Sequence, residues 1–429
     1  MMKMKCFLVL PFFLIGYLSY SQDTISMSKQ DCETLFLKEN LLLIAERLKI
    51  SQAEALVQQA KLWPNPSLSV DEINLWATNR QTGGAEVSPP IIGNWGRNQQ
   101  VGAEIEQVIL TAGKRKKLIA LEQVGVNQAT VYFEELLRNL KTEFRSLLSE
   151  LHYIQSIESS YLEQLESIKA LTNSYKLQVN QGNISKGEFV RLKALELQLT
   201  SDLNELKEDK NSVQKELKSL MRLKFNQVLV LTDNVNVNKD ITSLKASDLI
   251  EKAYTNRHDL KLAGLEKEYY SKLYAYERSQ RVPDLSLKVN YDRNGNTMLD
   301  FVGFGFEMDL PFFNRNQGNI KHAHTGMEIA KLENEYTQLS VENEVVAAYQ
   351  DLILANDFKN SIEEDYETTL DDLLKHYVSN FKSRNISMVE FIDFLDAYLD
   401  NKKILLEAQK NVNQKLEELN YAVGIEVLE

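Results

Sequence analysis

Residues 183–189 read Asn183-Ile184-Ser185-Lys186-Gly187-Glu188-Phe189, and residues 385–391 read Asn385-Ile386-Ser387-Met388-Val389-Glu390-Phe391. The correspondence runs at a constant offset of 202, from Tyr175 and Tyr377 to Leu217 and Leu419. The chain is therefore a tandem duplication, and the repeated unit is a long helical hairpin. Upstream of the first phrase, residues 114–180 contain no proline, and Leu136, Leu140, Phe144, Leu147, Leu151 and Ile154 recur at three- and four-residue spacing. That is the period of one continuous amphipathic helix, on the order of 100 Å long at 1.5 Å per residue. A second helix is expected from about Lys186 to Leu223. Only Gln181-Gly182-Asn183-Ile184 separate the two, which permits an antiparallel return and little else. Ser185 with Glu188, and Ser387 with Glu390, read as capping boxes: the hydroxyl accepts from the backbone N–H three residues on, and the carboxylate reaches back. Gly182 supplies a permissive backbone to the first turn. Arg384 holds its place in the second, so that turn is expected to be built differently.

The duplication extends to what precedes each hairpin. Pro64-Asn65-Pro66-Ser67-Leu68-Ser69-Val70 matches Pro283-Asp284-Leu285-Ser286-Leu287-Lys288-Val289 at an offset of 219, whereas Val101-Gly102 matches Val302-Gly303 at 201. The first copy thus carries 18 extra residues, within a Gly-, Pro- and Asn-rich loop from about Ala77 to Arg97. Leu285, Leu287, Val289 and Tyr291 alternate with Ser286, Lys288, Asn290 and Asp292. Beyond the Asn294-Gly295 turn, Val302, Phe304, Phe306, Met308 and Leu310 alternate with Gly303, Gly305, Glu307 and Asp309. Period two on both sides of such a turn predicts a β-hairpin. In the first copy Val101, Ala103, Ile105 and Ile109 face away from Glu104 and Glu106, while the alternation near Asp71 and Glu72 is broken.

The resulting layout is a signal peptide at 1–21, a first repeat at 22–225, a linker at 226–245 and a second repeat at 246–429. The first repeat has a leading helix over 27–62, strands at about 65–76 and 98–110, and a helical hairpin over 114–224. The second has a leading helix over 246–281, strands at about 283–293 and 298–311, and a helical hairpin over 318–424. On this reading the chain owns four strands and no more. Four strands of about ten residues cannot close a barrel, so several chains must pool them.

Lys3 and Lys5, the apolar run from Phe7 to Leu18 and the small-residue stretch Ser19-Tyr20-Ser21 form a secretory signal, cut near Ser21 and Gln22. Cys6 stands at the start of the apolar run rather than beside the cut, so no acyl anchor is implied, and Cys32 alone forms no internal disulfide. A net charge of −12 argues against nucleic acid. No apolar run of 18 residues follows the signal, so no helix is expected to span a membrane. Strands with one apolar and one polar face are what a membrane barrel with a wet lumen requires, because in lipid every backbone group must be paired. A soluble sandwich with one buried face would show the same alternation, but it has no use for rods of this length. No phosphate loop, cysteine cluster or nucleophile motif is present. His322 and His324 point to opposite sides of a helix, so no enzyme activity, cofactor or metal site is expected.

The Trp63-Pro64-Asn65-Pro66-Ser67-Leu68 entry to a strand, the Thr111-Ala112-Gly113-Lys114-Arg115 exit, Leu310-Pro311-Phe312-Phe313 and Asn256-Arg257-His258-Asp259-Leu260, in this order and paired spacing, resemble the TolC-type outer membrane efflux proteins. The resemblance covers essentially the whole chain after the signal. It implies an α plus membrane β fold in which three chains form a 12-stranded outer membrane β-barrel continued by a periplasmic α-barrel. It also implies a passive exit duct of a tripartite efflux system, carrying small toxic solutes or metal cations from an inner-membrane pump, of resistance-nodulation-division type, through a periplasmic adaptor. The expected partners are two further copies of the chain, that adaptor, that pump and outer membrane lipid. The hairpin tips, Gly182, Asn183, Ile184, Ser185, Asn385, Ile386 and Ser387, are then the adaptor-docking surface. Asp393 and Asp396, three apart on one helix face and replaced by Arg191 and Ala194 in the first copy, are the periplasmic gate. Glu104, Glu106, Glu307 and Asp309 line the lumen. Lys114-Arg115-Lys116-Lys117 opens a helix whose dipole disfavours cations, so an outside partner such as lipid headgroups is expected, or a solvated charge run. The competing reading is a soluble periplasmic coiled-coil adaptor or scaffold, which the doubled hairpin and the paired amphipathic strands speak against.

Overall fold

A computed structural model describes residues 23–74, 83, 100–233, 241, 243–294, 298–363 and 365–428. The signal segment 1–21, nearly all of the Ala77–Arg97 loop and Gly295 of the second hairpin turn lie outside the described residues. In chain order the elements are β1 (Asp23–Met27), α1 (Lys29–Glu39), α2 (Leu41–Ala60), β2 (Ser67–Asn74), β3 (Gln100–Ile109), α3 (Lys114–Asn180), α4 (Lys186–Met221) and β4 (Gln227–Leu231), then α5 (Ala246–Asn256), α6 (His258–Ser279), β5 (Leu285–Asn294), β6 (Met298–Glu307), α7 (Gln317–Asn360), α8 (Tyr366–Lys382) and α9 (Met388–Val423). The chain divides into two compact units.

Among the described residues, one unit comprises 23–41, 143–233, 354–363 and 365–415. Its core is a four-helix cluster in which Leu165, Leu192, Leu199, Leu374, Phe391 and Leu395 interlock. Phe36 of α1 stacks on Phe144 of α3, with ring centroids 4.6 Å apart. Beside them β1 and β4 form a parallel pair that joins Asp23–Met27 to Gln227–Leu231. Gln214 secures β4 by donating to Leu229 O at 2.6 Å and accepting from Leu229 N at 3.0 Å. The expectation of four strands is therefore corrected to six among the described residues, and the segment 226–245 carries a strand rather than linker alone.

The other unit comprises, among the described residues, 42–74, 83, 100–142, 241, 243–294, 298–353 and 416–428. It holds the antiparallel sheet β2-β3-β5-β6, in which the first copy's strands run directly into those of the second through the β3–β5 pairing. The irregularity expected near Asp71 appears as a register shift between Asp71 and Asn74. Where α7 crosses α6, small residues are required: a Cβ on Gly326 would fall 2.3 Å from the Tyr270 ring.

Three helices differ from the sequence reading. Each leading helix is two helices, broken at Asn40 and at Arg257, which adopt extended backbone. The breaks free both side chains to reach carbonyls that the ends of the return helices leave open. Asn40 Nδ2 donates to Leu220 O and Arg257 Nη1 to Ala422 O, each at 3.0 Å, and Leu220 and Ala422 are equivalent positions of the two copies. The outgoing helix of the second copy is also interrupted, between Asn360 and Tyr366, whereas α3 runs unbroken for 67 residues. Past that interruption α8 is held to α9 by Lys402, which contacts Glu367 at 2.8 Å and Asp371 at 3.2 Å, and by Tyr398, which donates to Asp371.

Candidate functional site

The four-stranded sheet has two chemically opposite faces, and the register defines both. Leu68 and Val70, Ile105, Leu287 and Val289, and Val302, Phe304 and Phe306 align across β2, β3, β5 and β6 on one face. These residues are exposed, Phe304 at 82% and Phe306 at 75%. A contiguous apolar surface of that kind has to be covered by lipid or protein. Toward the turn end of this face Tyr291 donates to Asp300 at 2.7 Å and Arg293 pairs with it, a polar border to the apolar band. At the other end Phe312 and Phe313 are exposed. The opposite face carries Asp71, Glu104, Glu106, Lys288, Asp292 and Glu307, and on β6 only glycines, Gly303 and Gly305, face Asn290 and Lys288. Lys288 Nζ lies 2.6 Å from Glu307, 3.3 Å from Glu104 and 3.9 Å from Glu106. Three of the four expected lumen residues thus meet on one face. Asp309 does not: β6 ends at Glu307, earlier than the expected 311, and Asp309 lies in the segment beyond it. The outer strands β2 and β6 each have a neighbour on one side only.

The hairpin tips are built alike, contrary to the expectation drawn from Arg384. Gly182 and Arg384 both take left-handed backbone, φ 77° and 60°. Gly182 N donates to Val179 O and Asn183 N to Gln178 O; Arg384 N donates to Phe381 O and Asn385 N to Asn380 O, so one turn type closes both helices. An arginine in this conformation costs about 1 kcal/mol relative to glycine. Its guanidinium reaches Gln178 Oε1 at 2.9 Å, which ties the second tip to the first hairpin. Ser185 and Ser387 accept from Glu188 N and Glu390 N at 3.2 and 3.3 Å. Glu390 accepts in return from Ser387 N at 2.7 Å, and that bond holds its carboxyl below the usual range. Asn183, Ser185, Asn385 and Ser387 are exposed, while Ile184 and Ile386 are half-buried. The repeated phenylalanine differs between the copies: Phe391 is buried and stacks on Phe381 at 4.4 Å, whereas Phe189 is half-buried.

Asp393 and Asp396 are both exposed on α9. They are part of a larger acidic surface that the sequence reading undercounted. Burial pushes the Asp396 carboxyl up, and Asp400, Asp393 and Asp202 add to the shift. Asp202 comes from α4, so its neighbourhood with α9 was invisible in the sequence, but Asp400, four residues after Asp396, was legible as the same helix face.

Three of the four residues in the basic run at the start of α3 have partners inside the chain, and Lys116 is exposed. Lys114 is buried and pairs with Asp284 at 2.8 Å. Arg115 donates to Lys61 O at 2.7 Å and lies over the Trp63 ring, and Lys117 donates to Ala112 O. Lys114, Arg115 and Lys117 thus gain internal partners that the helix dipole alone did not suggest. Arg257, in the Asn256–Leu260 phrase, is buried and binds Asp259, Glu344 at 2.7 Å and Ala422 O.

Residues 249–424 match the family model described as outer membrane efflux protein. The match falls within the second copy, and the resemblance to the TolC-type family read from the motifs holds there. Solved structures extend the fold over both copies. The Campylobacter jejuni CmeC outer membrane channel is 16% identical with a TM-score of 0.72, covering 93% of this chain and 87% of that one. The Neisseria gonorrhoeae MtrE outer membrane channel in its open state is 13% identical with a TM-score of 0.68, over 93% and 89%. CusC, described in terms of folding and transmembrane channel formation, is 16% identical with a TM-score of 0.69, over 92% of each chain. By sequence, a probable kinetochore protein SPC24 from Debaryomyces hansenii is 27% identical over 154 residues. That match covers 33% of this chain and 66% of the relative.

Proposed function

We propose that the chain is one third of an outer membrane exit duct: three copies place twelve strands in a closed barrel, and their six hairpins form the periplasmic extension. The observation that carries this reading is the open four-stranded sheet, apolar and exposed on one face and charged on the other. Lipid suits the first face and water the second, and only closure with neighbouring copies pairs the outer strands. The family description of the second copy supports it independently. In this reading the barrel attaches the chain to the membrane. A soluble adaptor gains nothing from this sheet.

Transport through such a duct is passive, so an inner-membrane pump, of resistance-nodulation-division type, supplies the energy and chooses the cargo, small toxic solutes or metal cations. A periplasmic adaptor docks at the tips around Asn183–Ser185 and Asn385–Ser387. Asp393 and Asp396, repeated by three-fold symmetry, form the acidic ring of the gate and favour cations. Glu104, Glu106 and Glu307 line the lumen. The test is the oligomeric mass of the detergent-extracted protein together with conductance in a planar bilayer. A trimer that forms cation-preferring pores is expected; a monomer that stays soluble without detergent and forms none would end this reading.

A further inference from the structure

On the charged face of the sheet, Lys288 is the only cation among the described residues, set against Asp71, Glu104, Glu106, Asp292 and Glu307. Its position is central: β5 lies between β3 and β6, and Nζ reaches carboxylates on both neighbours, Glu104 and Glu106 on one side and Glu307 on the other. Space for this reach comes from β6, where Gly305 stands opposite Lys288 and Gly303 stands opposite Asn290. A Cβ on Gly303 would fall 2.3 Å from Asn290 Oδ1, so that glycine cannot be exchanged without moving the residue beside Lys288 on its own strand face. The lysine side chain is one quarter exposed, which leaves it in reach of ions while it is held by carboxylates.

We infer that Lys288 sets the ion selectivity of the barrel section of the duct. This inference rests on the reading of the charged face as a water-filled lumen. A carboxylate-lined pore concentrates cations, and a fixed ammonium in its wall lowers that preference and moderates how strongly a multivalent cation is retained on its way out. Each chain contributes one such charge, so a trimer carries three at one level of the barrel. The ammonium is a selectivity residue through its charge. A side chain of the same length without charge would keep the packing and lose the effect.

The test compares the full-length mature protein with Lys288→Met and Lys288→Arg, reconstituted in a planar bilayer under a KCl gradient. The reversal potential gives the ratio of K⁺ to Cl⁻ permeability. Lys288→Met is expected to raise that ratio by about two-fold or more at 0.1 M salt, with the difference shrinking at 1 M, where the screening length falls to roughly 3 Å. Lys288→Arg should stay near the wild type. If Lys288→Met does not insert, Glu307→Gln serves in the opposite direction and should lower the ratio. Wild-type pores whose reversal potential is unmoved by these substitutions would overturn the role of Lys288 while leaving the duct intact. A wild-type protein that forms no pores would overturn both.

Discussion

Arg257 offers the sharpest test of how the sheet-bearing unit is held together. Its side chain is 3% exposed, and its guanidinium donates to both Asp259 oxygens, to Glu344 and to the open carbonyl of Ala422 at the end of α9. Arg257→Met removes the charge and the bonds to two carboxylates and a carbonyl, a loss of about 3 kcal/mol, at the low end for a broken buried pair because Asp259 and Glu344 stay 31% and 47% exposed. Arg257→Lys keeps the charge but loses the planar fork, and with it at least one charge-assisted hydrogen bond, a loss of about 2 kcal/mol. Denaturant unfolding of the detergent-solubilised protein, followed by far-UV circular dichroism with a refolding arm, measures both. The expected order is wild type, then Lys, then Met. Both substitutions lying within about 0.5 kcal/mol of wild type would refute the reasoning, because the buried network would then carry no net stability. The same network gives a pH signature. Burial raises the Asp259 carboxyl, but the hydrogen bonds and charge of Arg257, with Arg138 beyond, outweigh it and leave the pKa below the usual value. A depressed folded pKa means stability that is present above the unfolded value near 3.9 and is lost as pH falls through the folded one. The wild type should therefore lose stability below about pH 4 more steeply than Arg257→Met does.

Other expectations follow from the tips, the acidic pair and the cysteine. Replacing Asp393 and Asp396 together by Asn should lower the cation preference of single channels at neutral pH. In the wild type the same preference should begin to fall at a higher pH than an unperturbed aspartate would give, because the Asp396 pKa is raised; unchanged selectivity in both experiments removes the pair as the gate. Ile184→Asp with Ile386→Asp should weaken site-directed crosslinking to the adaptor while the trimer stays intact on native gels, and undiminished crosslinking would leave the tips as turns alone. Cys32 is fully buried and its thiol is pushed up to about 11 by burial first, then by Asp31 and Asp233. A maleimide should therefore label the mature protein only after denaturation, and rapid labelling of the folded form would show that the packing around α1 is open.

The long hairpins, their caps and the amphipathic strands were legible because each is written in local spacing: three and four for the helices, two for the strands, three from Ser to Glu for the caps. What was illegible depends on residues far apart in the chain. The β1–β4 pair joins two five-residue segments at Asp23 and Gln227, each too short to stand out beside a signal or a linker. Lys114 looked partnerless because Asp284 belongs to the other copy. The breaks at Asn40 and Arg257 fall between two stretches of good helical pattern, and the reason for them, a carbonyl at the end of a distant helix, is tertiary. The interruption after Asn360 is hidden by a sequence, Ser361-Ile362-Glu363-Glu364-Asp365, with no proline or glycine to mark it. Arg384 misled in the opposite sense: the fold accepts a strained arginine where the first copy has glycine, and the guanidinium bond to Gln178 is the visible compensation. Among the candidate sites, the acidic pair was found by spacing, but Lys288 passed as an ordinary polar position because its three carboxylates sit on neighbouring strands.

The unpaired outer strands β2 and β6 have a genetic consequence. If three copies close the barrel as proposed, a lone copy would present a row of bare backbone groups to hydrocarbon, so closure and insertion would be one event, in which every copy must supply two sound edges. A defect that spoils one edge without preventing association is then not recessive. In a cell making equal amounts of sound and defective chains, random assembly of the proposed trimer would leave roughly one barrel in eight free of the defect. Alleles that alter β2 or β6 should accordingly suppress efflux when expressed beside an intact gene, whereas alleles that stop the chain from folding at all should be silent there.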